Sequence, residues 1–161
     1  MEQKEQEFKF VGDGPRVFEI TVVVEDLDKS MEQFRSLFGL TPYKKMKGPI
    51  MNCYLHGKKV EGAAMKLAYY RAGPIRFELL QPIGDSIYAE FLRKKGTGVQ
   101  HVGCRVSDLD SELAELAKRG MGTVAGLEVP EANLKIAYLD SEDIVGFHIE
   151  LVQSPGLPGE D

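Results

Sequence analysis

The sequence predicts an α+β fold assembled from two related modules, each a strand followed by a helix and several further strands. Three observations predict it. "FEITVVVEDLDKSMEQF" from Phe18 superposes on "QHVGCRVSDLDSELAEL" from Gln100 at an offset of 82, so that Asp26, Leu27 and Asp28 answer Asp108, Leu109 and Asp110. "RFELLQP" from Arg76 superposes on "HIELVQS" from His148 at an offset of 72 and sets Glu78 against Glu150. Within each copy the apolar pattern passes from alternation to helical spacing, as it does where a strand runs into a helix.

The elements follow in order. The strand from Phe18 is rich in β-branched residues. The helix after it opens at Asp26, a residue type that caps helix N-termini, carries Met31 and Phe34 at helical spacing, and stops near Gly39. Residues 47–62 are glycine-rich and irregular, with "IMNCYLH" as a strand candidate inside them. "AAMKLAYY" from Ala63 and the strand through Glu78 complete the first module. A linker helix, "DSIYAEFLRKKG", has Asp85 and Ser86 as cap candidates and stops at Gly96. The second module repeats the plan: the strand from Gln100, a helix with Leu113 and Leu116 that ends near Gly120, "LKIAYLD" from Leu134, and the strand through Glu150. The expected organisation is an N-terminal segment (1–15), one domain (16–153) and a flexible tail (154–161). Within the domain, module one spans about 16–82, the linker helix about 84–96 and module two about 98–153.

A chain of 161 residues is long enough for one domain with a sizeable core. With 43% apolar and 28% charged residues it has the composition of a soluble globular protein, and no apolar run is long enough to span a bilayer. The start, "MEQKEQEFKF", lacks the basic-then-apolar order of a signal peptide, so a cytoplasmic location is expected. A formal charge of −5 without a basic cluster argues against nucleic acid as a partner. Arg93, Lys94 and Lys95 read instead as the basic end of a helix. Cys53 and Cys104 have no metal-like spacing and are expected as reduced thiols.

Strand alternation assigns faces. Ile20, Val22 and Val24 line one side of the first strand, and Val102, Cys104 and Val106 the equivalent side of its repeat; these meet the helices. The other side carries Glu19, Thr21 and Val23 in one copy and His101, Gly103 and Arg105 in the other. Glu78 shares a face with Arg76 and Leu80, and Glu150 with His148 and Val152. Four repeat-equivalent positions therefore hold Glu19, Glu78, His101 and Glu150. A carboxylate among apolar neighbours is costly to bury unless it is paired or binds a cation, and these side chains are competent ligands for a divalent metal. The same residues also admit a plainer reading, a rim histidine and solvent-facing glutamates on a half-exposed sheet.

"VVVEDLDKSMEQFRSLFGL", "FELLQPIGDSIYAEFLRKKGTGVQHVGCRVSDLD" and "GFHIELVQ" resemble the vicinal oxygen chelate superfamily, most of all methylmalonyl-CoA epimerases and glyoxalase-like members, over roughly residues 16–153. The resemblance implies two βαβββ modules forming curved mixed sheets around a central cavity. It also implies a divalent metal ion (Mn, Co, Ni, Zn, Mg or Fe) held by Glu19, Glu78, His101 and Glu150, although epimerases carry histidine where Glu19 stands. The implied chemistry is proton abstraction next to a carbonyl with a metal-stabilised enolate, in an isomerase, epimerase or lyase acting on a small molecule such as an acyl-CoA. Glu150 is the expected metal-adjacent base. Epimerases place a second glutamate on a first-module strand near the position of Met65, and the nearest carboxylate here, Glu61, is the second catalytic candidate if it swings in; a solvated loop glutamate is the plainer reading. His148 is a candidate proton relay or packs at the cavity wall, Arg76 and Arg105 are candidate anion contacts or, more plainly, salt-bridge partners of a neighbouring Glu, and a homodimer is the expected assembly. The alternative is a metal-free binding protein of the resistance type, whose acidic cavity sequesters a cationic compound.

Overall fold

In a computed structural model the described residues run from 16 to 156, so the N-terminal segment and most of the expected tail lie outside the described residues. The chain forms β1 (Arg16–Val23), α1 (Leu27–Phe38), β2 (Lys44–Pro49), β3 (Cys53–Leu55), β4 (Lys58–Val60), β5 (Ala64–Ala72) and β6 (Ile75–Ile83). Then follow α2 (Ile87–Lys95), β7 (Gly98–Arg105), α3 (Leu109–Lys118), β8 (Thr123–Val129), β9 (Leu134–Leu139), α4 (Glu142–Val145) and β10 (His148–Gln153). All ten strands join one mixed sheet in the order β2-β5-β6-β1-β7-β10-β9-β8-β3-β4. The α+β class and the curved sheet are as the sequence led us to expect. None of the helices is long and apolar enough to cross a membrane among the described residues.

The repeat becomes a two-fold arrangement about the antiparallel β1–β7 seam. Outward from it, β1-β6-β5-β2 mirrors β7-β10-β9-β8, and β6 and β10 both run parallel to the seam strand they flank. Each parallel crossover is made by one repeat helix, whose start is fixed twice. Asp26 and Asp108 accept from the backbone N–H groups of Lys29 and Ser111, both at 3.0 Å, satisfying donors that a helix N-terminus leaves open. The glutamine shared by "FELLQP" and "IELVQ" does the rest: Gln81 and Gln153 accept from the N–H of Leu27 and Leu109 at 3.0 and 2.8 Å. Gly39 ends α1 at φ 67°, in the left-handed region that glycine enters without a Cβ clash. For the linker helix, Ser86 is the cap that accepts from Ala89, while Asp85 pairs with Arg93.

The predicted faces hold. Val22 and Val24 pack with Met31 and Phe34 of α1. Cys104 and Val106 pack with Leu113 and Leu116 of α3. Both cysteines are free and buried.

Residues 47–62 bear out the strand candidate "IMNCYLH", which contains β3, but are more regular than their pattern suggests. They contain the end of β2 and a β3–β4 hairpin whose two turn residues, His56 and Gly57, both have positive φ (49° and 75°). That is the two-residue turn whose twist matches paired strands. β3 pairs with β8 of the second module, Tyr54 opposite Gly126 and Leu55 opposite Ala125. Seven strands separate β2 from β3 in the sheet order, a span of roughly 38 Å if the sheet were flat. The link from Pro49 to Cys53 reaches at most about 14 Å. The sheet must therefore curl until its ends nearly meet, and the hairpin closes it into a cup.

Candidate metal centre in the cup

Register across the seam sets two rows of side chains on the concave face. One row runs Arg76, Glu19, Gly103, Glu150, Tyr138; the other runs Glu78, Thr21, His101, His148. The four expected ligands thus come from β6, β1, β7 and β10, four consecutive strands centred on the seam. All four are buried: Glu19 is 3%, Glu78 5%, His101 2% and Glu150 4% exposed, which removes the reading of solvent-facing glutamates. They line a cavity of about 190 Å³.

Gly103 makes this crowding possible. A Cβ there would lie 2.9 Å from Oε2 of Glu150, 3.1 Å from Cβ of Glu19 and 3.2 Å from the Phe18 ring, so its bare backbone leaves the two carboxylates room on either side. His101 Nε2 stands 3.6 Å from Glu150 Oε2 and 3.8 Å from Glu19 Oε1. Ligand atoms of Glu19, Glu78 and His101 lie within 4.8 Å of one another. Donors bound at about 2.0–2.6 Å to a common ion sit roughly 3–5 Å apart, so the set is spaced for one cation.

The hydrogen bonds point the same way. His101 Nδ1 lies 2.5 Å from Oε1 of Gln100, an atom that only accepts, so Nδ1 donates there and Nε2 is the ring nitrogen that faces the carboxylates. Metal-bound histidines use this tautomer lock. Glu150 Oε1 accepts from Tyr138 OH at 2.7 Å, and Tyr138 is bonded in turn to Tyr88 OH at 2.5 Å. Glu150 Oε2 is buried without any hydrogen-bond partner. A buried carboxylate oxygen without a hydrogen bond, 3.6 Å from an imidazole nitrogen, is an arrangement that a divalent cation satisfies, and the residues present fit one.

Charge is unevenly compensated. Burial pushes the Glu19 carboxyl up, but His101 and the Arg76 guanidinium outweigh it and hold Glu19 below the ordinary range. Arg76 donates from Nε to Glu19 Oε2 and lies over the Tyr69 ring, 4.4 Å from its centroid. Glu78 accepts from the Thr21 hydroxyl at 3.4 Å, and burial, with the Glu19 charge adding to it, raises it well above 4.5. Glu150 is also raised, by burial first. Burial and the Glu150 charge keep the Tyr88 and Tyr138 phenols protonated as donors.

These directions give a pH prediction for cation-free protein. A carboxyl raised by folding contributes stability that is full below 4.5 and is lost as pH climbs through its raised value. Glu19 has the opposite sign: its contribution is complete above 4.5 and disappears as pH falls through its lowered value. Above 4.5 the first effect acts alone. Denaturant midpoints without added metal should therefore fall as pH rises, and Glu78→Gln should flatten the slope; a midpoint that rises or stays level would contradict the unbalanced charge.

Not every expected residue reaches the cup. Glu61 is outside it: the side chain is 77% exposed just past β4 and pairs with Lys59 at 2.8 Å, because the hairpin carries it to the outer rim. His148 shares the His101 row, but the strand curls it into a smaller pocket where Nδ1 donates to Leu139 O and Nε2 faces Glu142 at 3.1 Å. Arg105 donates to the carbonyls of Ser154 and Pro155, holding the chain after β10. The tyrosines are the residues that sequence reasoning passed over. "MKLAYY" from Met65 and "LKIAYL" from Leu134 form a third echo, offset 69, in which Tyr69 and Tyr138 match and stand in register with Glu78 and Glu150.

The sequence model of the glyoxalase/bleomycin resistance protein/dioxygenase superfamily matches residues 19–138. The chain belongs to that superfamily. The match bears out the resemblance to the superfamily read from the sequence. YqjC, an uncharacterized protein of Bacillus subtilis, is 30% identical over 105 residues, which cover 64% of this chain and 75% of YqjC. Among solved structures, methylmalonyl-CoA epimerase from Mycobacterium tuberculosis superposes with a TM-score of 0.61 at 25% identity, covering 87% of this chain and 88% of the epimerase. The Streptomyces coelicolor epimerase, solved with 2-nitronate-propionyl-CoA, gives 0.62 at 23% identity over 88% and 95%, a likeness of fold.

Proposed function

We propose that the chain is a metal-dependent isomerase or lyase that removes a proton next to a carbonyl group of a small molecule. The observation that carries this reading is His101 Nε2 set among three buried carboxylates, one of them with an oxygen that has no hydrogen-bond partner. Glu19, Glu78, His101 and Glu150 would hold a divalent ion, which when bound supplies Lewis-acid polarisation of the carbonyl.

Glu150 is the base in this scheme. Tyr138 fixes Oε1, so Oε2, the oxygen facing the ion site, is the one that would exchange the ion for the substrate proton, and burial raises the proton affinity of this carboxylate. Arg76 holds Glu19 ionised and in place. The carboxylates among the described residues that line the cavity are Glu19, Glu78 and Glu150, with Glu61 outside it. This favours one-base chemistry, in which Glu150 takes the proton and returns it, over transfer between two opposed bases. Sequestration of a cationic compound fits less well, because Arg76 already occupies Glu19.

Solvent exchange tests the scheme. In D₂O with manganese, acyl-CoA thioesters and α-hydroxy carbonyl compounds are screened by NMR for loss of the proton next to the carbonyl. Exchange is expected with at least one class, and Glu150→Gln should slow it by about 100-fold or more. No exchange in either class, or an unchanged rate in Glu150→Gln, would overturn the proposal.

A further inference from the structure

The floor and the walls of the cup differ sharply in chemistry. Three carboxylates stand on the floor, and Arg76 is the one permanent cation among the described residues that line the cavity. Arg76 is already committed to Glu19 and packed on Tyr69. With a dication bound, these charges balance; without one, the floor is negative. In neither state is there surplus positive charge to receive an anionic head group, and desolvating a carboxylate with no partner is strongly unfavourable. Above the floor the walls are apolar, with Met46, Ile50, Met51, Met65, Leu134 and Ile136 rising toward the mouth. Three of these six are methionines, whose flexible thioethers adapt to the shape of an apolar guest.

We propose that the cavity takes an uncharged carbonyl compound with an apolar body, and rejects one that carries a carboxylate beside the reacting carbon. The inference rests on the cavity being the reaction site, and it narrows the substrate class by charge. The polar end lies against Glu78, His101 and Glu150, and the apolar body runs between the methionines. A methylene added to the guest is removed from water by the wall, which corresponds to about 4-fold in affinity per methylene.

Matched ligands that differ only in charge test this. Calorimetric titrations of the manganese-loaded protein compare 1-hydroxy-2-alkanones, from the butanone to the octanone, with 2-hydroxyalkanoates of the same chain lengths. The hydroxyketones should bind at least about 10-fold tighter than the acids at equal length, and their affinity should rise by about 4-fold per methylene until the body reaches the mouth. Met51 is half exposed, so Met51→Gln should fold normally and weaken the longest hydroxyketones selectively. Acids that bind as tightly as hydroxyketones, or an affinity independent of chain length, would overturn the inference. A parallel series in EDTA separates it from the metal reading. If manganese is not retained but the hydroxyketone preference and chain-length slope persist, the metal reading fails and this inference stands. If manganese is retained and the acids win, the outcome is the reverse.

Discussion

Arg76→Met should destabilise the protein by about 3–5 kcal/mol at neutral pH, the cost of leaving one partner of a buried ion pair uncompensated. Arg76 and Glu19 side chains are 5% and 4% exposed, so solvent screens the pair little. Without the guanidinium, burial of the Glu19 carboxyl is offset by His101 alone, the carboxyl rises from its lowered value, and the loss of stability grows as pH rises from that value. The charge explanation is separable from lost packing on Tyr69. Adding Glu19→Gln removes the stranded charge, and the double variant should recover part of the stability. Urea denaturation of the four proteins measures the coupling; a single-variant loss below about 1 kcal/mol would place the pair among solvent-screened bridges instead.

Gly103→Ala should damage the site more than the fold. Its Cβ would meet Glu150 Oε2 at 2.9 Å while Glu19 Cβ and the Phe18 ring close in at 3.1 and 3.2 Å. Glu150 cannot simply swing away without giving up the Tyr138 hydroxyl. Overpacking of this kind costs about 1–3 kcal/mol of stability. Displacing a ligand carboxylate should lower divalent-cation affinity by about 10–100-fold, the range seen when residues that orient metal ligands are altered. Urea denaturation and cation titration read the two effects. Unchanged cation affinity in a folded Gly103→Ala protein would show that the glycine does not make room for the site.

The sequence exposed the part of the fold that duplication wrote twice. Asp26 with Asp108 and Gln81 with Gln153 recur because each pair starts a helix at the same point of a crossover. Alternation then sufficed to place Glu19, Glu78, His101 and Glu150 on one face. The first strand of the β3–β4 hairpin was legible in "IMNCYLH", but its pairing with β8 was not, because that depends on how far the whole sheet curls and not on any local pattern. β2, "KKMKGP", hides its inward Met46 and Pro49 among lysines and glycine. Arg76 was correctly aimed at the cavity, but its commitment to Glu19 follows from the β1–β6 register, which alternation does not supply. Glu61 was chosen for chemistry without a strand to orient it, and it lies on the rim. Tyr138 could have been found: the third echo puts it opposite Glu150, but a tyrosine inside an apolar strand reads first as core.

Cation binding to the wild type and His101→Ala, followed by calorimetry and elemental analysis after dialysis against manganese, cobalt, nickel or zinc, addresses the site most directly. The wild type should retain about one ion per chain with at least one of these metals and gain thermal stability from it. His101→Ala, which removes the Nε2 donor while leaving the three carboxylates, should weaken binding by about 100-fold or more and lose that gain. Wild-type protein that retains no stoichiometric ion, with His101→Ala melting identically in every metal, would contradict a metal centre in the cup.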